Sequence, residues 1–511
     1  MHLDLANLPH DTTLLHQLVR DLVAKEEQQD SEIDKLRLII RQLQRGQFGR
    51  RSERLDPDQL HLGLEDLDAD IARAETRPAP SANEEPLEET KRPRASFPEH
   101  LPRQEVTLTC EACTCPTCGG ALHEIGVTAS EMLDWVPASV RVIRISRPKH
   151  GCRACGTIHQ APAPERVIAK GMATPGLIAQ VLVSKYCDHL PLYRQAQILA
   201  RHGVEIDRSR LADWVGGACW WLEPLHELLA EKVFMSSKLF ADDTPIPVLD
   251  PGRGRTKTGR LWVYSRDDRP WGGTDPPAAV YFYSPDRKAE RPASHLEGFT
   301  GVLQVDGYVG FERLTAKGNV VLAGCWAHVR RKFFEFHQAT NSSIAAEALR
   351  RIAALYKVEE AIRGQPAIER EIARNRDARP IIETMKPWLE QELSRIPGGS
   401  ALAEAIRYAL GRWTALCRFL DDGRIELDNN AVERAIRPIA LGRKNHLFAG
   451  SDGGGRRWAT VCSLITTAKL NGVEPYAYLK DVLERLAAGH PMSRLDEFLP
   501  WNWSPIVAVN G

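Results

Sequence analysis

Hydrophobic positions change their period several times along the chain. Leu15, Val19, Leu22, Ile33, Leu36, Ile40 and Leu43 recur on alternating three- and four-residue steps, with Glu26 and Gln29 at the two central seam positions. That period predicts a short coiled coil over residues 1–50, the alternative being an amphipathic helix packed on its own chain. Helical patterning resumes at 177–185 and 192–202, and a third helix opens with Asp207 as its N-cap and runs through Leu211 and Trp214. Five strand-like runs follow, at 239–241, 261–265, 279–283, 302–305 and 320–323, separated by Gly and Pro turns; these predict a sheet. Helical periodicity then dominates 329–420, most clearly at 345–356 and 401–410, and returns over 464–498.

These shifts divide the chain into seven parts: the coiled coil (1–50), an acidic, Pro-rich linker (51–105), a cysteine-bearing segment (106–160), a helical region (161–232), an α/β core in two pieces (233–330 and 421–465), a helical insertion between them (331–420), and a helical end (466–511). A length of 511 residues, with 43% hydrophobic and 26% charged residues, suits a multidomain α/β protein and excludes both a single small domain and global disorder. The 67 basic side chains cancel the 67 acidic ones. The balance is uneven, because Asp56, Asp58, Glu65, Asp66, Asp68, Asp70, Glu84, Glu85, Glu88 and Glu89 crowd one solvated stretch. The remainder is therefore net positive, and a polyanionic partner would be met by local patches. No apolar run approaches the roughly 18 to 20 residues of a membrane span, so no membrane partner is expected and a cytoplasmic chain is the expectation.

Six of the eleven cysteines lie between Cys110 and Cys155 in short pairs. Cys115-Pro-Thr-Cys118 before Gly119-Gly120, and Cys152-Arg-Ala-Cys155 before Gly156, read as two knuckles whose glycines permit tight turns. Four thiolates suit tetrahedral, structural Zn²⁺, and the Val140 to Ser146 region between the pairs reads as strand, so a zinc ribbon is expected. Cys110 and Cys113 form a rival first pair. The three-helix pattern has the order of a helix-turn-helix variant, with Arg208 and Arg210 at the start of the third helix, where side chains reach bases or phosphates; three packed helices also occur without DNA binding.

Asp242 follows the apolar stretch at 239–241, and Asp306 follows Val302-Leu-Gln-Val305 and precedes Gly307, so both carboxylates emerge at strand ends. Each alone is an ordinary turn residue. The third acid lies in Asp428-Asn-Asn-Ala-Val-Glu433-Arg-Ala-Ile-Arg437, read as a helix capped by Asp428 or Asn429. On it Asn430, Glu433, Arg434 and Arg437 form a polar face opposite Ala431, Val432, Ala435 and Ile436, which directs Glu433 outward. Two strand aspartates and a helix glutamate form a hard-oxygen donor set for Mg²⁺ or Mn²⁺, and two such ions suit in-line phosphoryl displacement. No Gly-x-x-x-x-Gly-Lys-Ser/Thr motif is present, which excludes a P-loop ATPase.

An ordered series of motifs resembles bacterial insertion-sequence transposases of the DDE class, of the insertion-sequence-66 type. It comprises Gln47-Phe-Gly-Arg-Arg-Ser-Glu53, Cys115-Pro-Thr-Cys-Gly-Gly120, Pro191-Leu-Tyr-Arg194, Ala241-Asp-Asp-Thr-Pro245, Val305-Asp-Gly-Tyr308, Gly324-Cys-Trp-Ala-His-Val-Arg-Arg-Lys-Phe333 and Asp428 through Pro438. The resemblance implies a ribonuclease-H-like mixed-sheet core with Asp242, Asp306 and Glu433 as catalytic, metal-binding triad, interrupted by the helical insertion. The family has Asp-Glu-Thr where this chain has Asp242-Asp243-Thr244. Cys325 and His328 resemble Cys-x-x-His pairs of other such enzymes and are expected beside the active site, with Asn430, Arg434 and Arg437 as support; one Cys and one His do not make a zinc site. Phosphate contacts are expected from Arg330, Arg331 or Lys332 and from the glycine-rich basic stretch that begins with Arg443 and Lys444. The implied function is cleavage and joining of element ends. The implied partners are terminal inverted repeats, target DNA, a second or further subunit and element-encoded accessory proteins, with the enzyme nucleoid-associated when bound. The competing functions are an inactive DNA-binding regulator derived from such an element, and a ribonuclease-H-like nuclease that cuts without joining.

Overall fold

A computed structural model describes residues 171–250, 253–446 and 448–505, with short pieces between 140 and 169. The predicted coiled coil, the acidic linker and Cys110, Cys113, Cys115, Cys118, Cys152 and Cys155 lie outside the described residues. Near the cysteine segment, β1 (Lys149–Gly151) and β2 (Ile158–Gln160) pair antiparallel, with Lys149 opposite Gln160. The strand expected at 140–146 is not found at its described positions. Val140, Val142, Ile143 and Ile145 are exposed and outside any ladder. β-branched residues favour a strand only where a neighbour pairs with its backbone, and the ladder forms instead further along.

Three helices come next: α1 (Pro175–Tyr186), α2 (Leu192–Arg201) and α3 (Arg208–Phe234). Thr174 caps α1 by accepting from the Leu177 amide at 3.2 Å, with Pro175 in the first turn. Asp207 has the extended backbone of an N-cap but makes no side-chain capping bond. From there α3 runs 27 residues, through Pro224, well beyond the segment its opening announced. Its buried Leu225, Leu229 and Val233 join the same apolar core as the sheet.

The sheet contains β3 (Lys238–Asp250), β4 (Arg255–Arg266), β5 (Ala278–Ser284), β6 (Gly301–Val305) and β7 (Val320–Ala323), with the short α4 (Glu290–His295) between β5 and β6. The spatial order is β5-β4-β3-β6-β7; β4 runs antiparallel to both of its neighbours, β5 and β3, while β3, β6 and β7 run parallel. All five predicted runs are strands, but β3 and β4 extend past them as a two-stranded arm. Pro245 and Pro247 lie in that arm, where β6 no longer pairs, so their missing N–H groups break no ladder on that side. The freed edge is covered instead by Ala449, bonded to Pro247 and Leu249 at 2.8 Å each.

After β7 the chain enters the insertion: α5 (Trp326–Thr340), α6 (Ser343–Ile362), α7 (Ala367–Ala373), a π-turn (Arg374–Ala378), α8 (Arg379–Arg395), α9 (Ala401–Gly411) and α10 (Trp413–Cys417). It has a core of its own around Trp326, Phe333, Ile352, Met385 and Ile406. The chain then returns to the sheet through α11 (Asn430–His446), α12 (Asp452–Leu470) and α13 (Pro475–Ala487). Ser463 and Thr467, one turn apart on α12, accept from the Tyr281 and Ala279 amides at 2.9 and 3.1 Å, which satisfies the edge strand β5. The Tyr281 hydroxyl donates to the Ala435 carbonyl of α11 at 2.7 Å. Thus α11 and α12 cover the sheet face carrying Tyr281 and its cross-strand partner Val263. No helix among the described residues is long and apolar enough to cross a membrane.

Candidate active site

The parallel β3–β6 ladder ends at the pair Ala241 and Val305, and Asp242 and Asp306 are the next residues on either strand. Neighbouring strands lie about 4.8 Å apart, so the two acids begin as close neighbours. Asp242 is opposite Val263, and therefore on the face that α11 covers. Asp243, opposite Trp262, points to the other face, where Arg260 and Arg287 hold its buried carboxylate at 3.0 and 2.8 Å. Burial pushes the Asp243 carboxyl above its ordinary range, against the pull of Arg287 and Arg260. The adjacent acids are thus distinct: one is locked between guanidiniums, and the other sits half-buried beneath a helix.

Glu433 is brought in by the segment before α11. The Gln304 side chain, buried in β6, donates to the Glu426 and Asp428 carbonyls at 2.6 and 2.9 Å and accepts from the Glu426 amide at 3.2 Å. Asn429 donates to the Ala241 carbonyl at 3.3 Å, and Asp428 caps α11 by accepting from the Asn430 amide at 3.1 Å. Glu433 follows one turn later, and only 4% of it is exposed. The outward orientation expected from the helical wheel is therefore corrected. The exposed stripe is Arg434, Arg437, Leu441 and Lys444, whereas Asn430 and Glu433 turn inward with Val432 and Ile436. At this first turn the neighbour is the N-terminus of α5, and His328 Nδ1 lies 3.9 Å from Glu433 Oε1. Among the described residues, the group of potential metal donors that meets within 4.8 Å is Cys325, His328 and Glu433; it includes neither aspartate.

Asp306 is held by the insertion. The Tyr408 hydroxyl donates to the Asp306 carbonyl at 2.7 Å, and Arg412 donates to the Gly307 carbonyl at 3.0 Å while stacking on the Tyr408 ring. Gly307 has φ +99°, and a Cβ there would meet the Arg412 guanidinium, so this turn requires glycine. A cavity of about 330 Å³ opens here, lined by Asp306, Glu312, Cys325, Tyr408, Arg412 and Arg418. Tyr408→Phe removes one hydrogen bond, about 1 kcal/mol. The expected result is severalfold weaker Mn²⁺ binding with the overall fold retained, measured by metal titration; an unchanged titration would contradict this role.

A larger cavity, about 550 Å³, lies beside Asp428, Asn430 and Arg434 and is lined by neither aspartate nor Glu433. Burial, reinforced by Glu426, pushes the Asp428 carboxyl up to about 6 from 3.8. A carboxyl raised in the fold binds its proton more tightly folded than unfolded, so its contribution is complete below pH 3.8 and is lost as pH rises through about 6. Asp428→Asn keeps an acceptor for the Asn430 amide. It is expected to raise the urea midpoint relative to wild type at pH 7 and to give no gain at pH 4. Equal effects at both pH values would contradict the assignment.

The expected DNA-contacting cations divide by burial. Arg208 and Arg210 are exposed in the first turn of α3, and Lys332 and Lys444 are exposed on α5 and α11. Arg330, Arg331 and Arg443 are buried. Arg331 pairs with Glu335 at 3.1 Å, and Arg443 donates to the Pro245 carbonyl at 2.5 Å, so helix packing and the β3 arm occupy them. The close approach permitted by Gly455 is to the Tyr283 ring.

Residues 170–457 match the family described as Transposase IS66 family. Three uncharacterized proteins of Sinorhizobium fredii are similar over nearly their whole length: y4jD is 43% identical, covering 97% of both chains, y4qI is 42% identical, covering 95% of this chain and 92% of the relative, and y4hP is 40% identical, covering 92% and 88%. The chain belongs to the IS66 transposase family. Further matches cover an IS66 C-terminal element at 463–501, a segment described as Transposase C of IS166 homeodomain at 35–106, and the zinc-finger binding domain of transposase IS66 at 112–156. The last match supports structural zinc in this IS66-family chain; it spans Cys113 but not Cys110. The residues that sequence reading missed in this IS66 transposase, Gln304, Tyr408 and Arg412, act on backbone groups far away in sequence, as does Asn429, read there only as a candidate helix cap. The one visible signal was a glutamine inside the otherwise apolar run before Asp306.

Proposed function

We propose that this chain is a DDE-type DNA transposase that cuts the ends of an insertion element and joins them to target DNA. The observation that carries the reading is the alignment of Asp242 and Asp306 one residue beyond the last β3–β6 pair, on the sheet end where α11 docks with Glu433 in its first turn. Three antiparallel strands continued by two parallel ones suit the ribonuclease-H-like core that the family resemblance implies.

Three carboxylates are an all-oxygen donor set, which fits Mg²⁺ or Mn²⁺. Two such ions, when bound, activate an attacking oxygen and stabilise the leaving one in an in-line displacement. Asp242, Asp306 and Glu433 would hold them. Tyr408 and Arg412 fix the Asp306 turn, and Gln304 and Asn429 fix the start of α11. Exposed Arg208, Arg210, Lys332 and Lys444 supply phosphate contacts, with affinity that falls as salt rises. Cys115, Cys118, Cys152 and Cys155 are the proposed ligands of the structural zinc. Pairing of two element ends would use the N-terminal coiled coil, in a homodimer or larger assembly with element-encoded accessory proteins, on nucleoid DNA in a bacterial cytoplasm.

The test is incubation of the full chain with a plasmid bearing element ends, target DNA and Mn²⁺. Covalently joined 3′ ends are expected. Cleavage without joining would replace the reading with a nuclease, and retention of DNA without either product would replace it with a binding protein.

A further inference from the structure

Cys325 and His328 lie one turn apart at the start of α5, and the fold adds a third donor of a different kind. Glu433, from the first turn of α11, closes a group whose sulfur, nitrogen and oxygen atoms lie within 4.8 Å of one another. We propose that Cys325, His328 and Glu433 form a binding site for a borderline-soft divalent ion, zinc foremost, separate from the zinc-finger segment at 112–156. The sharing of Glu433 with a hard-ion site rests on the proposed function; the zinc site itself does not.

The donor chemistry selects the ion. Thiolate and imidazole disfavour Mg²⁺ and suit Zn²⁺, and three protein ligands leave one position of a tetrahedron for water or a substrate oxygen. The spacing is also close to what zinc requires. Bonds of 2.0 to 2.3 Å at tetrahedral angles separate ligand atoms by roughly 3.4 to 3.7 Å, and His328 Nδ1 already lies 3.9 Å from Glu433 Oε1.

Two features of the surroundings favour negative charge on these donors. The Asn429 amide donates to Cys325 Sγ at 3.3 Å, the kind of outer contact that steadies a metal-bound thiolate. Cys325 and Glu433 both stand at helix N-termini, where the peptide dipoles stabilise anions. The two helix starts are joined directly, because the Trp326 amide donates to the Leu427 carbonyl at 2.9 Å. Both Cys325 and Glu433 are buried, so a bound ion would be enclosed on the protein side. Burial pushes the thiol up, so metal uptake releases its proton. An ion held here would draw Glu433 away from the aspartates, which makes zinc an inhibitor of metal-dependent cleavage by competition for one carboxylate.

The experiment strips the full-length chain with a chelator, re-equilibrates it with Zn²⁺ in excess Mg²⁺, and counts tightly held zinc. Two ions per chain are expected, one for the zinc-finger segment and one for this site. The count should fall by one in Cys325→Ser and in His328→Ala, and should be unchanged in Asp242→Asn. Co²⁺ substitution gives a second readout: sulfur-to-cobalt charge-transfer absorption should weaken in Cys325→Ser while circular dichroism is preserved. An unaltered zinc count and cobalt spectrum in Cys325→Ser would overturn the site. So would loss of zinc in Asp242→Asn but not in His328→Ala, since the ion would then belong to the aspartates. Neither readout involves DNA, so failure of the transposition assay leaves this result standing on its own.

Discussion

Replacing Asp306 by alanine is expected to reduce both cleavage and joining of element ends by at least about a thousandfold, while retention of the same DNA is preserved. Loss of a ligand to catalytic divalent ions forfeits several kcal/mol of charge stabilisation in the transition state, and each 1.36 kcal/mol is a factor of ten in rate. The fold has little stake in the carboxylate itself. Asp306 is half-buried, one oxygen accepts from the Tyr308 amide at 2.9 Å, and the insertion grips its backbone carbonyl through Tyr408. Asp306→Asn keeps the acceptor for Tyr308 and should be equally inactive, which separates metal binding from turn geometry. Mn²⁺-dependent cleavage, read beside a mobility shift at fixed salt, measures both quantities. Activity within tenfold of wild type would remove Asp306 from the chemistry.

The second large effect concerns stability. Arg374, in the π-turn of the insertion, is fully buried. It donates to both Glu359 oxygens at 2.6 and 2.7 Å and to the Phe419, Asp422 and Ile425 carbonyls at 2.8, 3.2 and 2.8 Å. One side chain thus gathers the segment through which the insertion returns to the sheet, just before α11. Arg374→Met leaves Glu359 with Arg370, at 3.0 Å, as its remaining cationic partner and strips donors from three carbonyls. Breaking a buried ion pair of this kind costs about 3–5 kcal/mol. Urea unfolding followed by tryptophan fluorescence should register that loss, since Trp326, Trp388 and Trp413 all pack in or against the core of the insertion. A change below about 1 kcal/mol would mean that the clamp is dispensable, because deleting even an ordinary hydrogen bond costs that much.

What was legible in the sequence follows from which interactions are local. The five strands announced themselves because each carries a short, largely apolar run bounded by turn residues. The extension of β3 did not, because Pro245 and Pro247 argue against a strand until the loss of β6 as a neighbour is known. Asp306 was readable as an acid just past a strand end, whereas Asp242, expected at one, lies inside β3, where only the parallel ladder with β6 stops. The inward turn of Glu433 was not readable, because a helical wheel sends a glutamate to solvent unless the partner, here His328, is already in view. The burial of Arg331 and Arg443 was hidden for the same reason: a run of cations looks solvent-exposed until a carboxylate or a strand carbonyl claims it. Arg374, Tyr408 and Arg412 left no trace, since most of their partners are main-chain carbonyls fixed only by the finished fold.

The most direct test of the central claim is Mn²⁺ anomalous diffraction from crystals of the full chain, with zinc excluded from the soak. The account predicts manganese between the Asp242 and Asp306 carboxylates, at oxygen distances of about 2.0–2.3 Å, with the Glu433 carboxylate among its ligands. Manganese bound elsewhere, or an ion on the aspartates with Glu433 beyond coordination reach, would contradict it.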